Sequence, residues 1–211
     1  MGESLQRRDG SPRGLLVDYG GVLTTNMFDS FRSFCELAGL APDAVIDRFR
    51  NDAAARELLI GLETGRLVEE EFERRFAAML GIPPGGLIDG LFAGSRPDEE
   101  MLAAVLRARD AGVRTGLISN SWGTRRYDRA RLAELFDGIV ISGEVGIRKP
   151  AREIYEMGLE RIGVAPEACV FVDDLPFNLK PAAELGMATV HHVSTGETLA
   201  ALERLLGVSL R

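Results

Sequence analysis

Short apolar runs that recur along the chain constrain its fold more than any other feature. Such runs are typical of strands that are buried on both faces, as in a parallel sheet. The first ends in Asp18 and is followed by a tight turn at Gly20 and Gly21, and the last is the weakest. The five runs cover residues 14–18, 113–119, 138–142, 168–173 and 187–191.

Amphipathic helical patterns separate these runs. The clearest follows Pro97 and stops at Gly112, which is the usual punctuation of a helix. The helical patterns cover residues 98–111, 151–162 and 198–206. Strands that alternate with helices in this way predict an α/β fold, with a Rossmann-like doubly wound parallel sheet.

One long stretch interrupts the alternation. Residues 26–94 contain no convincing strand but several amphipathic helical patterns, the clearest over residues 68–80. We therefore predict a core formed by residues 14–25 and 95–211, with a helical domain of residues 26–94 inserted after the first strand. The polar residues 1–13 have no apolar signal-peptide segment and are expected to be a flexible N-terminus.

Charge and cysteine content narrow the class of protein. The formal net charge is −7, whereas proteins that bind nucleic acid present a basic surface, so we expect no nucleic-acid partner. No apolar run is long enough to cross a bilayer, so we expect no membrane partner. Cys35 and Cys169 lie in apolar patterns and are predicted to be buried thiols of a cytoplasmic protein. The sequence does not specify the oligomeric state.

Polar residues follow the predicted strands where a parallel sheet binds its ligands. They are Asp18, Ser119 with Asn120, and Asp173 with Asp174, while Lys149 opens a helix after the third strand. Each alone has a structural explanation, such as a helix cap or a solvated lysine. Together they favour a site for Mg²⁺ and a phosphoryl group, because Asp18 and Asp174 offer oxygen ligands and Lys149 offers a balancing charge.

Four segments, in order, resemble motifs of the haloacid dehalogenase-like hydrolase superfamily. They are Leu15 to Leu23 around Asp18, Leu117 to Asn120, Arg148 to Pro150, and Val170 to Asn178. The continuations Ser119-Asn120-Ser121-Trp122 and Asp173 to Ala182 are most similar to the branch that contains the N-terminal phosphatase domain of soluble epoxide hydrolases. The resemblance covers nearly the whole chain from Gly14 and implies a Rossmann-like core with a helical cap domain.

The resemblance also implies roles for particular residues. Asp18 would be the nucleophile and a metal ligand, with Lys149 as the catalytic charge-balancing group. Asp174 and the backbone carbonyl of Gly20 would complete the protein ligands of Mg²⁺. Substrate phosphate would be bound by Ser119 and Asn120, and Asp173 and Asn178 would support the site. The implied substrate is a small phosphorylated metabolite.

Gly20 departs from the family pattern. Most phosphatases of the superfamily have a second aspartate two residues after the nucleophile, where it protonates the leaving group. Tyr19 does not replace it, because adjacent residues at a strand end point to opposite faces. Loss of general acid–base catalysis typically costs roughly 10²–10⁴-fold in rate.

Three hypotheses are therefore open. The first is a phosphohydrolase whose substrate has a good leaving group, or whose acid comes from the cap or from water. The second is a ligand-binding protein that has lost turnover. The third is a dehalogenase-type hydrolase, in which halide leaves without a proton. A metal carboxylate at Asp174 has no task in that reaction, and dehalogenases typically have Tyr where this chain has Gly20, so the phosphohydrolase is favoured.

Two further features have structural interpretations. Trp122 is expected either at the mouth of the site or in packing between core and cap. The arginines that follow it are expected on a solvated helix face, with Asp128 and Glu134; they are Arg125, Arg126, Arg129 and Arg131.

Overall fold

A computed structural model describes residues 13–211 of the protein. Over these residues the strands are β1 (Gly14–Val17), β2 (Arg114–Ser119), β3 (Gly138–Ile141), β4 (Cys169–Asp173) and β5 (Ala188–His191). They form one sheet in the order β3-β2-β1-β4-β5, and all neighbours are parallel. The predicted α/β fold is confirmed, and each strand lies within its predicted run.

The centre of the sheet belongs to β1. All four of its residues are buried, because β2 and β4 pair with its two edges and helices cover both of its faces. Alternating side chains point to opposite faces, so Leu15 and Val17 join one core while Leu16 joins the other. The residue that follows β1 is therefore held at the middle of the carboxyl edge.

Helices on the two faces enclose these cores. The face of Leu15 is covered by α6 (Glu99–Asp110), α7 (Arg129–Leu135) and α11 (Thr195–Leu206). The face of Leu16 is covered by α9 (Arg152–Ile162) and α10 (Pro176–Glu184). A short helix, α8 (Ser142–Val145), follows β3, and a 3₁₀ turn at Pro166–Ala168 precedes β4. The predicted helices of this part of the chain are α6, α9 and α11. Asp98 is the N-cap of α6, and Gly163 and Gly207 take the left-handed conformation at the C-caps of α9 and α11, near the predicted boundaries. Helix α11 begins three residues before its predicted start, because Ser194 is its N-cap.

Five helices lie between β1 and α6. They are α1 (Met27–Leu37), α2 (Ala44–Asn51), α3 (Ala53–Glu63), α4 (Glu69–Leu80) and α5 (Leu87–Phe92). We call residues 27–92 the helical insert. It has a hydrophobic core of its own, centred on Phe72, Phe76 and Ile88, and its two ends meet where Thr24 and Pro97 form an antiparallel bridge. That it acts as a separate cap domain stays a prediction.

Trp122 is the residue of the α/β part that enters the core of the insert. Its ring lies 5.4–5.7 Å from the ring centroids of four phenylalanines, Phe31, Phe49, Phe72 and Phe92. Edge-to-face packing at such distances stabilises aromatic clusters beyond the area that they bury. Of the two interpretations of Trp122, packing between core and insert is therefore the one realised.

Several other expectations bear on the class of protein. Cys35 and Cys169 are buried and unpaired. Among residues 13–211, no helix has the length and apolar character that a membrane span requires. The predicted flexible N-terminus, residues 1–13, lies outside the described residues except for Arg13.

Close approach of α9 to the sheet depends on glycine. A Cβ atom on Gly158 would lie 2.6 Å from the Ile118 Cδ1 atom and 3.3 Å from the Leu16 Cδ1 atom. Both are branched side chains in the packed core, so they have little room to move. Helix α9 can therefore contact β1 and β2 this closely only while position 158 has no side chain.

We expect Gly158→Ala to lower the free energy of unfolding by about 1–2 kcal/mol, because the overpacking exceeds the gain in helix propensity. The matched control is Gly196→Ala in α11, where a Cβ atom would meet nothing within 4 Å; this variant should be neutral or slightly stabilising. Urea unfolding of both variants measures the difference. Equal stability of the two variants would show that the contact of α9 with the sheet is not tight.

Candidate active site

Asp18 lies at the carboxyl end of the central strand. Its backbone N–H donates to the Val172 carbonyl oxygen at 2.9 Å, which continues the pairing of β1 with β4. Its Oδ1 atom accepts from the Tyr19 N–H at 2.7 Å and lies 2.7 Å from the Lys149 Nζ atom. Within residues 13–211, no donor reaches its Oδ2 atom, so this oxygen is available for chemistry.

Lys149 is a buried cation between two carboxylates. Its side chain is 1% exposed, and its Nζ atom lies 2.7 Å from Asp18 Oδ1 and 2.7 Å from Asp173 Oδ2. Burial by itself would lower the pKa of Lys149, but Asp173 and Asp18 outweigh burial and raise the pKa above its ordinary value. The ammonium group therefore stays charged at neutral pH.

Asn120 holds the backbone of Lys149. Its Oδ1 atom accepts from the Lys149 N–H at 2.8 Å, and its Nδ2 atom donates to the Lys149 carbonyl oxygen at 3.1 Å. The side-chain amide of Asn120 is thus used in positioning the lysine. That Asn120 binds phosphate stays a prediction, and the group left to do so is its backbone N–H.

Asp173 has both carboxylate oxygens occupied. Oδ1 accepts from the Leu175 N–H at 2.9 Å and from the Asn178 Nδ2 atom at 3.0 Å, while Oδ2 contacts Lys149. Asn178 is itself held in place, because the Tyr155 hydroxyl donates to the backbone carbonyl oxygen of Asn178 at 2.7 Å. These contacts fix Asp173 and Asn178 beside Lys149, and their role as supporting residues of the site stays a prediction.

Asp174 completes a cluster of three carboxylates. One oxygen from each of Asp18, Asp173 and Asp174 lies within 4.8 Å of the others. The turn after β1 approaches this cluster closely: Gly21 has a φ of +77°, and a Cβ atom there would overlap the Asp174 carboxylate. Because Asp173 is already fully hydrogen-bonded, Asp18 and Asp174 are the carboxylates left to hold a cation.

The charge of the cluster fits a divalent cation. Burial raises the pKa of Asp18 to about 8 despite the opposing effect of Lys149, and burial with the neighbouring Asp173 raises the pKa of Asp174 to about 6. Three carboxyl groups thus face one ammonium group and hold protons more readily than free aspartate does. A bound divalent cation would favour their ionised form, and Mg²⁺ prefers carboxylate oxygens. The assignment of the Gly20 carbonyl as a third ligand stays a prediction.

Ser119 ends β2 next to this cluster. Its Oγ atom lies 2.8 Å from the hydroxyl of Tyr127, in the turn before α7. Nothing in the sequence pattern indicated Tyr127, because the contact depends on how residues 122–127 fold back over the end of the strand. His191 was also not predicted, although its Nε2 atom lies 3.0 Å from the Asp174 carbonyl oxygen.

The arginines after Trp122 do not form one solvated helix face. Arg125 and Arg126 precede α7 and pair with Glu69 of the insert, at 3.2 and 3.0 Å. Arg131 pairs with Glu99 at 2.5 Å, and Arg129 pairs with Glu144. The prediction was wrong because the ion pairs join separate elements rather than neighbours on one helix.

Glu63 lies at the junction of the insert and the α/β part. Its Oε2 atom lies 2.5 Å from the Arg148 Nε atom as an ion pair without hydrogen-bond geometry, and the Ser142 hydroxyl donates to its carbonyl oxygen at 2.5 Å. Burial raises the pKa of Glu63 to about 7, although Arg148 acts in the opposite direction. Arg148, the residue before Lys149, is thus held by an ion pair to the insert.

A lysine bridges the buried aspartate at the end of the central strand to a second strand-end acid. This arrangement lies where open α/β sheets bind their ligands, as expected of an α/β enzyme. Residues 12–186 match the family model of haloacid dehalogenase-like hydrolases. The chain belongs to this family, and the resemblance seen in its motifs is confirmed.

Known proteins similar to the chain agree with this assignment. Bifunctional epoxide hydrolase 2 of Mus musculus is 28% identical over 210 residues, which are 90% of this chain but 38% of that protein. The chain therefore spans well under half of that relative. Sesquiterpene phosphatase astK of Aspergillus oryzae is 26% identical over 92% of this chain and 97% of its own length.

Among solved structures, a haloacid dehalogenase family enzyme of Bacteroides thetaiotaomicron, in complex with magnesium and inorganic phosphate, has a TM-score of 0.67. It is 23% identical, and the match covers 90% of this chain and 98% of that one. At this identity the match supports the fold.

The raised pKa of Glu63 predicts how stability depends on pH. Its value of about 7 exceeds the ordinary value of 4.5, so between these pH values the folded state binds more protons and stability falls as pH rises. Relative to Glu63→Gln, the free energy of unfolding of the wild type should fall between pH 5 and 7, by at most about 1.4 kcal/mol per pH unit.

Chemical denaturation at several pH values measures this difference. Glu57→Gln is the control, because Glu57 is exposed on the same helix, α3, and its removal should leave the pH dependence unchanged. A difference between wild type and Glu63→Gln that does not vary with pH would mean that Arg148 keeps Glu63 ionised.

Proposed function

We propose that the protein is a Mg²⁺-dependent phosphohydrolase that acts on a small phosphorylated metabolite through an aspartyl-phosphate on Asp18. The observation that carries the proposal is the free Oδ2 atom of Asp18, beside Asp174 and opposite a lysine that holds Oδ1. The similarity to a sesquiterpene phosphatase over most of the chain supports the same reaction class.

Asp18, Asp174 and the Gly20 carbonyl would hold Mg²⁺, which neutralises charge on the phosphoryl oxygens when it is bound. The fit rests on the cluster of three carboxyl groups, whose ionised form a bound cation would favour. Lys149 keeps Asp18 Oδ1 fixed, so that Oδ2 points away from the buried ion pair. Ser119 and the Asn120 N–H would donate to the remaining phosphoryl oxygens.

In the reaction, Asp18 Oδ2 attacks phosphorus and the bond from phosphorus to the leaving oxygen breaks, so that the leaving group takes the electron pair. Water then attacks phosphorus of the aspartyl-phosphate, and inorganic phosphate leaves as the Asp18 carboxylate is restored. Such covalent catalysis divides one difficult displacement into two easier ones.

Gly20 gives the leaving oxygen no side-chain acid. A Cβ atom at this position would lie 3.3 Å from the Met27 Cγ atom, at the start of α1. The position that carries an acid in most phosphatases of the family thus faces an apolar side chain of the insert. The reaction is therefore expected to favour leaving groups that depart as anions.

The alternatives are a dehalogenase-type hydrolase and a ligand-binding protein that has lost turnover. Displacement of halide from carbon needs no cation, so it would give no task to the Asp174 carboxylate. A protein that only binds its ligand would have no use for a free nucleophilic oxygen on Asp18. A panel of phosphorylated metabolites and a panel of haloacids, assayed with Mg²⁺ and with chelator, separates the three.

The nucleophile and the metal carboxylate can be tested by substitution. We expect Asp18→Asn to lower kcat by roughly 10³-fold or more, because the amide is a poor nucleophile. Asp174→Ala should abolish the Mg²⁺-dependent activity, and excess chelator should do the same to the wild type. Beryllium fluoride with Mg²⁺ should raise the melting temperature of the wild type but not that of Asp18→Asn.

The matched control is Asp52→Asn. Asp52 caps α3 with its side chain, and Asn is an equally good cap, so this variant removes one carboxylate without a loss of stability. Its activity should equal that of the wild type. Full activity of Asp18→Asn would overturn the mechanism, and full activity of Asp174→Ala or in chelator would favour the dehalogenase.

The absence of an acid at Gly20 predicts a steep dependence on the leaving group. Aryl phosphates should be hydrolysed far faster than alkyl phosphates, because an unassisted leaving oxygen carries its own negative charge. Gly20→Asp should speed alkyl phosphates within roughly the 10²–10⁴-fold worth of a general acid, and aryl phosphates by less.

The control for this prediction tests whether the new side chain has room. Since Met27 stands in the way, Gly20→Asp should be compared with the double variant Gly20→Asp/Met27→Ala and with Met27→Ala alone. Only the variants with Asp should gain on alkyl phosphates. Equal wild-type rates on both ester classes, with chemistry rate-limiting, would show that another residue already supplies the proton.

A further inference from the structure

The hydroxyl of Ser119 has a neighbour with no role in the mechanism above. Ser119 is 2% exposed, and its Oγ atom lies 2.8 Å from the Tyr127 hydroxyl, a pair in which either atom could be the donor. A serine hydroxyl has a single hydrogen but two acceptor lone pairs. Which of the two oxygens donates therefore decides whether the Ser119 hydrogen is free for a ligand.

Tyr127 is the better donor of the pair. A phenol O–H is more acidic than an alcohol O–H, and its oxygen is the weaker acceptor because a lone pair is delocalised into the ring. Burial raises the pKa of the Tyr127 phenol above its usual range. The phenol thus keeps its proton at neutral pH. When it donates to Ser119 Oγ, the Ser119 hydrogen points elsewhere, and an anionic phosphoryl oxygen is the strongest acceptor that could face it.

Contacts around Tyr127 fix its ring in this position. The Tyr19 ring packs against it edge to face at 5.2 Å, and the Arg129 guanidinium lies 5.5 Å from its centroid. The preceding residues are anchored in the insert by the ring contacts of Trp122 and by the pairing of Arg126 with Glu69. Little side-chain freedom is then left to be lost when a ligand binds.

We propose that Tyr127 is a positioning residue for a phosphate monoester: its phenol donates to Ser119 Oγ and so turns the Ser119 hydroxyl hydrogen toward the phosphoryl group. The inference rests on the proposed function and deepens it. It assigns Tyr127 an effect on phosphate affinity that acts entirely through Ser119.

A double-mutant cycle tests the proposal. The variants are Tyr127→Phe, Ser119→Ala and their combination, and the readouts are the Kd of inorganic phosphate by calorimetry with Mg²⁺ and the kinetics on an aryl phosphate. A hydrogen bond of ordinary strength corresponds to roughly a 2- to 13-fold change. Tyr127→Phe should weaken phosphate binding and raise KM within this range, with kcat nearly unchanged.

In the Ser119→Ala background the same substitution should have no further effect, because the hydroxyl that it orients is absent. Tyr127→His, which keeps a ring N–H donor, should retain more phosphate affinity than Tyr127→Phe. The matched control is Thr115→Val. Thr115 lies on the same face of β2 as Ser119, and its buried hydroxyl donates to the Leu135 carbonyl oxygen, a contact that valine cannot make. It should lose stability but no phosphate affinity, since it lies about 13 Å along the strand from Ser119.

The outcomes separate the two proposals. Suppose that the wild type binds inorganic phosphate and hydrolyses the aryl phosphate. The role of Tyr127 is then overturned, and the proposed function stands, if Tyr127→Phe has wild-type phosphate affinity. The same conclusion follows if the substitution of Tyr127 by Phe lowers phosphate affinity equally with and without the Ser119 hydroxyl. If the wild type neither binds phosphate nor hydrolyses any phosphate ester, both are overturned. Thermal melts identify any variant that loses affinity through unfolding, and Tyr127→His then decides the case.

Discussion

The buried ion pairs of Lys149 are the interaction on which the rest of the site depends. An ammonium group that is 1% exposed stays charged only because Asp18 and Asp173 lie 2.7 Å from it. The carboxylates depend on the lysine in turn, since they would otherwise repel each other at the ends of neighbouring strands. Removal of one partner of such a pair leaves an uncompensated buried charge, at a cost of about 3–5 kcal/mol. The position of Asp18, the proposed nucleophile, and the stability of this edge of the sheet therefore both depend on Lys149.

The residues after β2 connect this edge to the helical insert. Asn120 holds the Lys149 backbone, Ser121 donates its N–H to the Ser142 hydroxyl, and Ser142 donates in turn to the Glu63 carbonyl oxygen. Later in the same segment, Trp122 and Arg126 contact the insert. A change in the position of the insert would thus also move Asn120, which holds the Lys149 backbone, and Ser119, which precedes it. Under the proposed function, the insert would therefore bear on the alignment of the reacting groups.

Local pattern was sufficient for some parts of the molecule and not for others. Apolar runs identified the five strands found in residues 13–211. The rule that ligands bind at strand ends predicted that Asp18, Ser119 and Asp174 lie at one edge, because both signals lie within a few residues of sequence. Tyr127 and Glu63 reach the site through packing of the insert and of the turn before α7, for which no periodicity exists. The arginines were misinterpreted for the same reason, since their partners lie on other elements. Contacts between elements distant in sequence are decided by shape, and a single sequence carries little record of it.

Gly20 has an electrostatic consequence beyond the loss of an acid. A carboxylate there would add a fourth negative group to a cluster in which three already face one lysine, and burial already raises the pKa of Asp18 to about 8. Without that fourth charge, the cluster is less repulsive and less dependent on a cation for its stability. Met27 fills the adjoining space with apolar atoms, which further disfavours any ionised group beside it. Glycine and methionine therefore act together: they add no charged side chain to the cluster and keep the space beside position 20 apolar.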